Sequence, residues 1–248
     1  TIALVVVVLA AAEAVARLGW VSRLVLPAPS RVAAVLWDGV ADGSYWSATW
    51  ATMGPTFAGF ALSAAVAITM GAVLASVPRL EAVVMPLVFA IQSTPKIAIA
   101  PLIVLWLGFG VTGKITVVAV VSFFPILVNT LAGMRIQERD RVDLLRALGA
   151  GKMQLLRYIR LPNALPYIFA GLHVGIIFAL IGAVVAEFVG SDSGLGYQLM
   201  QQKALFDVPG VFGSIVLLMV CGIVLDKLLA FLERRIVFWA ADTSAVSV

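Results

Sequence analysis

The sequence DLLRALGAGKMQLLRYIRLP, residues 143–162, decides how the rest of the chain is interpreted. It carries four basic residues and lies between two strongly apolar runs, 114–134 and 164–189. Gly149 and Gly151 interrupt it near its middle, which predicts two short helices joined by a glycine-rich turn. A basic, helical segment between two apolar runs is expected to meet a partner outside the hydrocarbon layer.

Local signals predict the ends of both helices in this segment. Asp140 can cap the first helix, Asp143 lies in its first turn, and Gly149 can end it in a left-handed conformation. Pro162 is expected to end the second helix. A serious alternative is a helix that lies on the lipid surface and is held by anionic headgroups. Apolar residues recur at helical spacing, namely Val142, Leu145 and Leu148 on the first helix and Met153, Leu156 and Ile159 on the second.

The composition is that of a membrane protein. Hydrophobic residues make up 62% of the 248 residues, charged residues 12%, and the mean hydropathy is +1.08, whereas soluble domains are about half apolar and about a quarter charged. The net charge of +4 is therefore attributed to topology rather than to nucleic-acid binding. The single Cys221 allows no intrachain disulfide, and the single His173 argues against a metal cluster. No GxSxG nucleophile motif occurs, so we expect no enzymatic chemistry.

Continuous apolar runs predict an all-α, polytopic fold, because a bilayer core of about 30 Å requires roughly 20 apolar residues per helix. We expect one transmembrane domain covering 1–248, with an outer segment at about 19–53 and the basic loop at about 136–163. Six spans are predicted, at about 1–18, 54–77, 82–107, 114–134, 164–189 and 209–232.

The distribution of Lys and Arg predicts the orientation of these spans. If both termini are cytoplasmic, the inner side carries eleven basic residues and the outer side carries five. The positive-inside rule favours this orientation, which places the basic loop in the cytoplasm. The five outer residues are Arg17, Arg23, Arg31, Lys114 and Lys203.

The outer segment is expected to hold a short amphipathic helix that leads into the second span. Two prolines break the chain, and Ser30 can cap the helix that follows them. Tyr45, Trp46 and Trp50 come next and suit the aromatic belt at a membrane interface.

Residues 108–115, GFGVTGKI, match GxGxxG by letters and nearly match a P-loop. A P-loop needs Ser or Thr after Lys114, where this chain has Ile115, and both motifs need a preceding strand rather than a membrane span. A tight outer turn explains the glycines. The chain therefore shows no ATP site of its own.

Polar residues inside the third span point to a translocation path. Lys costs about 2.5–3.5 kcal/mol at a helix centre on insertion scales, and irregular backbone at that depth normally lines a cavity or is buried in protein. We predict that Gln92, Ser93, Thr94 and Lys96, which flank Pro95, border the path. Lys96 would offer a positive charge to an anionic solute. A Lys96 that is paired structurally or snorkels along a short helix is the open alternative.

Other polar residues within the spans allow narrower expectations. Glu187, near the outer end of the fifth span, is also predicted to border the path, either paired with Lys96 or solvated at the interface. Asn129 is expected to bond between helices. Asp226 and Lys227 are expected to be interfacial anchors rather than a proton relay.

Residues 143–162 resemble the cytoplasmic coupling motif of ATP-binding cassette (ABC) importer permeases. That motif reads Glu-Ala-Ala, three residues, Gly, nine residues, then Ile-x-Leu-Pro, and its second half is matched from Gly149 to Pro162. The first half departs, because Asp143 replaces Glu and two leucines replace the alanines. The resemblance implies that ATPase coupling is carried by Asp143, Leu144, Leu145, Ala147, Gly149, Ala150, Ile159, Leu161 and Pro162.

The blocks STPKIAIAPLIVLWLGFG, FFPILVNTLAG and AEFVGSDSGLGYQLM extend the resemblance to the nitrate/sulfonate/taurine/bicarbonate branch of binding-protein-dependent permeases. This resemblance implies a type I importer permease fold in a bacterial cytoplasmic membrane. It also implies a second permease copy, two cytoplasmic ATPases that bind ATP and Mg, and an external solute-binding protein, with no cofactor in this chain. The alternatives are an ion-coupled secondary transporter, which would need inverted repeats or a mid-membrane carboxylate, and a membrane scaffold.

Overall fold

The chain folds into a helical bundle in the computed structural model, which describes residues 2–19, 21–22, 25–135 and 139–240. Arg23 and the start of the basic loop, at 136–138, lie outside the described residues. The same holds for the side chains of Ile2, Val5, Lys96, Arg139, Asp140, Lys152 and Ala240.

Eleven α-helices account for most of this described part of the chain, as the all-α prediction requires. A π-helical turn, Leu156–Arg160, joins the eighth helix to the ninth, and a 3-10 turn, Phe238–Ala240, follows the last. The α-helices are α1 (Ile2–Leu18), α2 (Pro29–Ala41), α3 (Ser44–Ser76), α4 (Pro78–Gln92), α5 (Lys96–Leu107), α6 (Val111–Arg135), α7 (Arg139–Ala147), α8 (Lys152–Leu155), α9 (Leu161–Gly190), α10 (Leu195–Ala204) and α11 (Val208–Ile236).

Within the described ranges, four helices are long and apolar enough to cross a membrane, and a bent pair raises the number to five if it counts as one span. The four are Ser44–Ser76, Val111–Arg135, Met153–Gly190 and Val208–Ile236. Helix α1 is 17 residues long, which is slightly short of the roughly 20 residues that a bilayer core requires. The polytopic, all-α fold is confirmed, and the count of six spans stays a prediction.

The predicted third span is two helices rather than one. Helix α4 ends at Gln92, α5 begins at Lys96, and their axes differ by 95°. Pro95 is the residue before α5, and a proline both lacks an N–H donor and clashes with the carbonyl four residues earlier. The kink expected from the prolines is therefore a full break in the helix.

Helices α3, α6 and α9 pack together as the centre of the bundle. Their contacts use small residues, as is common where helix packing in a membrane depends on close van der Waals contact. A Cβ added at Gly71 of α3 would lie 2.7 Å from Thr130 of α6, and one at Gly171 of α9 would lie 3.1 Å from the Pro125 carbonyl. Apolar residues including Leu74, Leu127 and Leu131 fill the space between α3 and α6.

The outer helix α2 forms as predicted, but its cap differs. Ala28 is the N-cap residue, and Ser30 does not cap through its side chain. The Glu13 carboxylate of α1 instead accepts hydrogen bonds from Ser30 N at 3.0 Å and from Ser30 Oγ at 2.8 Å. The prediction was wrong because Glu13, a carboxylate of another helix, accepts the N–H at the start of α2 in place of the Ser30 hydroxyl.

The structure corrects the expectation for Asn129 and adds a partner for Asp226. The expected bond of Asn129 to another helix is not formed, because its Nδ2 donates to the Pro125 carbonyl, four residues earlier in the same helix, at 2.8 Å. His173 of α9 contacts two carboxylates of α11, with 2.6 Å between Nδ1 and Asp226 Oδ1 and 3.1 Å between Nε2 and Glu233 Oε2. Asp226 therefore joins α11 to α9 instead of serving only as an interfacial anchor.

Candidate functional site

The turn between α7 and α8 has the hydrogen bonds of a Schellman motif. Ala150 N–H donates to the Leu145 carbonyl and Gly149 N–H donates to the Arg146 carbonyl, both at 2.9 Å. Gly149 has φ +82°, a left-handed conformation that favours glycine because a Cβ would crowd the backbone. The predicted left-handed stop at Gly149 is confirmed.

The second helix of this hairpin begins with a side-chain cap. Gln154 Oε1 accepts a hydrogen bond from Gly151 N–H at 2.8 Å, which is half of a capping box. The two short helices then pack through Val142, Leu155 and Ile159, all buried. Leu145 and Ala150 lie against the same cluster. We call residues 139–160 the coupling hairpin.

The other side of the coupling hairpin exposes large apolar side chains. Leu144, Leu148, Met153 and Tyr158 are 62%, 74%, 73% and 66% exposed, and we call these four residues the hairpin patch. Leu148 and Met153 belong to the predicted apolar stripes, but they lie beside the left-handed turn at Gly149 and are exposed, unlike Val142 and Ile159 of the same stripes. Burial of such residues is worth about 1.5–3 kcal/mol each, so the hairpin patch is suited to a partner.

The residues predicted for ATPase coupling divide into two groups. Ile159 is buried and holds the hairpin together, with Leu145, Ala150 and Pro162 partly buried. Asp143 is exposed, and its Oδ1 lies 3.6 Å from Arg146 Nη1. Such a surface ion pair adds little stability. The remaining exposed members are Leu144, Ala147, Gly149 and Leu161.

The coupling hairpin is continuous with a membrane span. Helix α8, the π-helical turn and α9 form one helical run, Met153–Gly190. The prediction that Pro162 ends the second helix is wrong, because the wide turn before it accommodates the proline: Leu161 N–H bonds to the Leu156 carbonyl, five residues back. The hairpin and α9 therefore share one continuous helix.

A cavity of about 500 Å³ opens at the break between α4 and α5. Gln92 and Thr94 line it from the break, while Asn129 of α6 and Phe178 of α9 lie across from them. Ser93 is not among the lining residues and its hydroxyl donates to the Phe89 carbonyl at 2.9 Å. The backbone of Lys96 begins α5 at the same break, and its side chain lies outside the described residues.

A second polar site lies at the other end of α9, around the buried side chain of Glu187. Its carboxylate accepts hydrogen bonds from Thr52 Oγ1 at 2.9 Å and from Gly196 N–H at 2.8 Å, and Lys114 Nζ lies 3.5 Å away. Lys114 Nζ also donates to the Ser193 carbonyl at 3.0 Å. We call Thr52, Lys114, Glu187 and the backbone of residues 193–196 the outer cluster.

The loop before α10 is shaped around this carboxylate. Gly194 has φ +116°, and a Cβ there would lie 2.1 Å from Glu187 Oε1. Leu195 N–H donates to Thr52 Oγ1 at 2.8 Å. The backbone of residues 193–196 thus wraps Glu187 and leaves no room for a side chain at Gly194 or Gly196.

The outer cluster corrects the expectations for Glu187. The side chain is not solvated, since its exposure is zero, and its described cationic partner is Lys114 rather than Lys96. Glu187 lies nine residues beyond Phe178, or about 14 Å along α9 at 1.5 Å per residue, so it is at a different depth from the cavity. The sequence does not indicate that Lys114 contacts Glu187, because the glycines at 108–113 before it are typical of a turn. Nothing in the sequence around Thr52 indicates that it contacts Glu187.

A protein-family model described as a binding-protein-dependent transport system inner membrane component matches residues 46–238. The match runs from the first turn of α3 through the coupling hairpin to the end of α11. The chain belongs to this permease family. The type I importer permease fold predicted from the sequence is thereby confirmed.

Curated relatives support the same conclusion. The riboflavin transport system permease of Chloroflexus aurantiacus is 37% identical over 218 residues, covering 88% of this chain and 81% of the relative. A formylaminopyrimidine transport permease of Halalkalibacterium halodurans is 34% identical over 86% of this chain and 85% of the relative. A protein of Bacillus subtilis named for aliphatic sulfonates transport is 30% identical over 94% of this chain and 84% of its own length. This third relative supports the predicted assignment of the chain to the branch that includes sulfonate and taurine permeases.

The permease is the membrane subunit of an ATP-driven importer in the bacterial inner membrane. An importer of this family works with ATPase subunits and a solute-binding protein, so the permease has no ATPase site of its own. The alternative of an ion-coupled secondary transporter is thereby excluded.

Proposed function

We propose that two copies of the permease form the translocation pathway and that each coupling hairpin seats one cytoplasmic ATPase, which binds the ATP and Mg. The observation that carries this proposal is the hairpin patch, four exposed apolar side chains on a hairpin whose inner side is packed and capped. A lipid surface would also accept such a patch. The Schellman turn and the continuous helix into α9 favour a partner that transmits movement, because a lipid anchor requires neither.

The mechanism follows from the rigidity of this connection. ATP binding would draw the two ATPases together, and each would carry a coupling hairpin and the attached α9 with it. Because α9 lines the cavity and also ends in the outer cluster, its movement would change access to the cavity from both sides. Both termini would be cytoplasmic, on the same side as the coupling hairpin, as the distribution of Lys and Arg favours.

We propose that the cavity at the α4–α5 break carries a small solute. The amides of Gln92 and Asn129 and the hydroxyl of Thr94 can bond a polar solute, and Lys96 at the same break favours an anion. The relatives named for riboflavin and formylaminopyrimidine favour a second candidate, a nitrogen heterocycle. A thermal-shift screen of the partner binding protein with sulfonates and with heterocycles separates the two classes.

The seating of the ATPase is tested by a matched pair of leucines. Leu148 in the hairpin patch and Leu205 between α10 and α11 are both 74% exposed. We expect Leu148→Lys to lose the ATPase subunits during purification and Leu205→Lys to retain them. In proteoliposomes with ATPase and binding protein, Leu148→Lys should also abolish ATP-driven uptake. Full retention of the ATPase by Leu148→Lys would exclude the hairpin patch as its seat.

A further inference from the structure

The turn between α10 and α11 exposes two neighbouring large apolar side chains. Leu205 is 74% exposed and Phe206 is 77% exposed. Phe206 has φ +56°, and among the described residues it is the one non-glycine residue with a positive φ. Such a conformation is unfavourable for a residue with a bulky side chain and persists only where the surrounding structure enforces it.

Hydrogen bonds from both helices fix this turn. Leu205 N–H donates to the Gln201 carbonyl at 3.1 Å, and Phe206 N–H donates to the Lys203 carbonyl at 3.2 Å. Asp207 caps α11 by accepting from Gly210 N–H at 3.2 Å. The exposure of Leu205 and Phe206 is therefore built into the fold and is not the consequence of a loose loop.

The turn lies outward of the aromatic belt. Gly213 of α11 is level with Tyr45, because a Cβ at Gly213 would lie 2.9 Å from the Tyr45 hydroxyl, and Trp46 follows Tyr45 directly. Val208, the first residue of α11, is five residues before Gly213, or about 8 Å further out at 1.5 Å per residue. Phe206 precedes Val208, so acyl chains inside the belt do not reach it.

The surface beside the turn is positively charged. A cavity of about 420 Å³ is lined by Phe206 together with Arg17 and Arg31, and Lys203 is exposed on α10. Glu13 also lines this cavity and forms an ion pair with Arg17, with 2.6 Å between Glu13 Oε1 and Arg17 Nε, while Asp207 accepts the Gly210 N–H. Arg31 and Lys203 therefore supply the positive charge beside the turn. The surface thus combines a fixed apolar projection with a cationic border.

We propose that the Leu205–Phe206 turn is a contact site for the external solute-binding protein, which receives the two side chains in an apolar recess bordered by carboxylates. This proposal rests on the orientation in the proposed function, in which the turn is outside and the coupling hairpin is inside. Large side chains in desolvated pockets dominate protein interfaces, and charge complementarity at the border steers association.

Protection from thiol labelling tests the contact directly. In a Cys221→Ser background, Phe206→Cys in the assembled importer should react with a membrane-impermeant maleimide applied from outside. Saturating solute-binding protein of the same importer should slow this reaction about tenfold, the ratio that corresponds to 1.4 kcal/mol of protection. Trp37→Cys, at an exposed α2 position, should react equally with and without the binding protein. Lack of reaction before the binding protein is added, or lack of protection after it, would overturn the proposal.

A second variant removes the side chain without straining the fold. Phe206→Gly suits a positive φ, so it should leave folding intact while weakening the affinity for the binding protein about tenfold. Unchanged affinity would refute the contact. Leu148→Lys in the same preparations should lose the ATPase but keep the binding-protein contact, so a failure of the proposed function and a failure of this inference give different results.

Discussion

Lys114 Nζ lies 3.5 Å from Glu187 Oε1, although the two residues are 73 positions apart and both side chains are almost fully buried. The pair joins α6 to α9, and the Glu187 carboxylate adds α3 through Thr52 and α10 through Gly196. Four helices therefore meet at one carboxylate. The opposite end of the same helix, α9, leads into the coupling hairpin.

Removing one charge of this pair should destabilise the permease strongly. Lys114→Met leaves the Glu187 carboxylate buried without its cation, and breaking a buried pair typically costs about 3–5 kcal/mol. We expect a clear fall in the unfolding temperature of the purified protein in detergent.

The double variant is the control for this prediction. Lys114→Met combined with Glu187→Gln removes both charges and should recover part of the lost stability, because no uncompensated charge remains. Equal stability of Lys114→Met and the natural chain would contradict the ion pair.

Local chemistry explains which parts of this fold the sequence could predict. Gly149 supplies its own left-handed turn, and the apolar runs at 114–134 and 164–189 lie within α6 and α9. Lys114 and Glu187 form a pair through tertiary packing, and neither residue's neighbours indicate the other. The prediction that Pro162 ends a helix was wrong for a related reason. The π-helical turn that accommodates this proline has no clear signal in the sequence.

The turn at Gly149 should tolerate little beyond glycine, for reasons of backbone conformation alone. A Cβ there would meet no atom within 4 Å, so the cost is that of the positive φ, about 1–2 kcal/mol for an ordinary residue. A β-branched valine should cost more. We predict that Gly149→Val inserts normally but loses binding-protein-stimulated ATPase activity and transport, with Gly149→Ala intermediate.

Gly54 provides a matched control for this glycine. A Cβ at Gly54 also meets nothing within 4 Å, but Gly54 lies inside α3 without a positive φ. Gly54→Val should therefore preserve stimulated ATPase activity. If Gly149→Val couples as well as Gly54→Val does, the left-handed turn is not required for coupling.

The contacts of His173 should hold α9 and α11 together. Its two ring nitrogens lie 2.6 Å from Asp226 and 3.1 Å from Glu233. Replacing it by Leu leaves two carboxylates facing an apolar side chain, so His173→Leu should lower the unfolding temperature. The amide in His173→Gln can still donate to one carboxylate, so the unfolding temperature of this variant should lie between those of His173→Leu and the natural chain. An unfolding temperature for His173→Leu equal to that of the natural chain would mean that these contacts contribute nothing.

The charge of Lys96 should matter for anions and not for uncharged solutes. A lysine at the break between α4 and α5 is costly to place in a membrane, and it is positioned beside a cavity lined by Gln92, Thr94 and Asn129. We predict that Lys96 faces that cavity and that Lys96→Met lowers kcat/KM for an anionic solute about tenfold or more, since a lost charge contact of 1.4 kcal/mol is one factor of ten. Uptake of an uncharged heterocycle should be unaffected.

The comparison with Lys227 makes this prediction specific to position. Lys227 is exposed on α11, so Lys227→Met removes the same charge from the chain at a site away from the cavity. Uptake into proteoliposomes that contain the ATPase and the binding protein should be unchanged in this control. An importer with Lys96→Met that carries an anion with natural affinity and rate would show that Lys96 is a structural or snorkelling residue, because a charge that lines the path cannot be removed without changing the energy of an anion passing it.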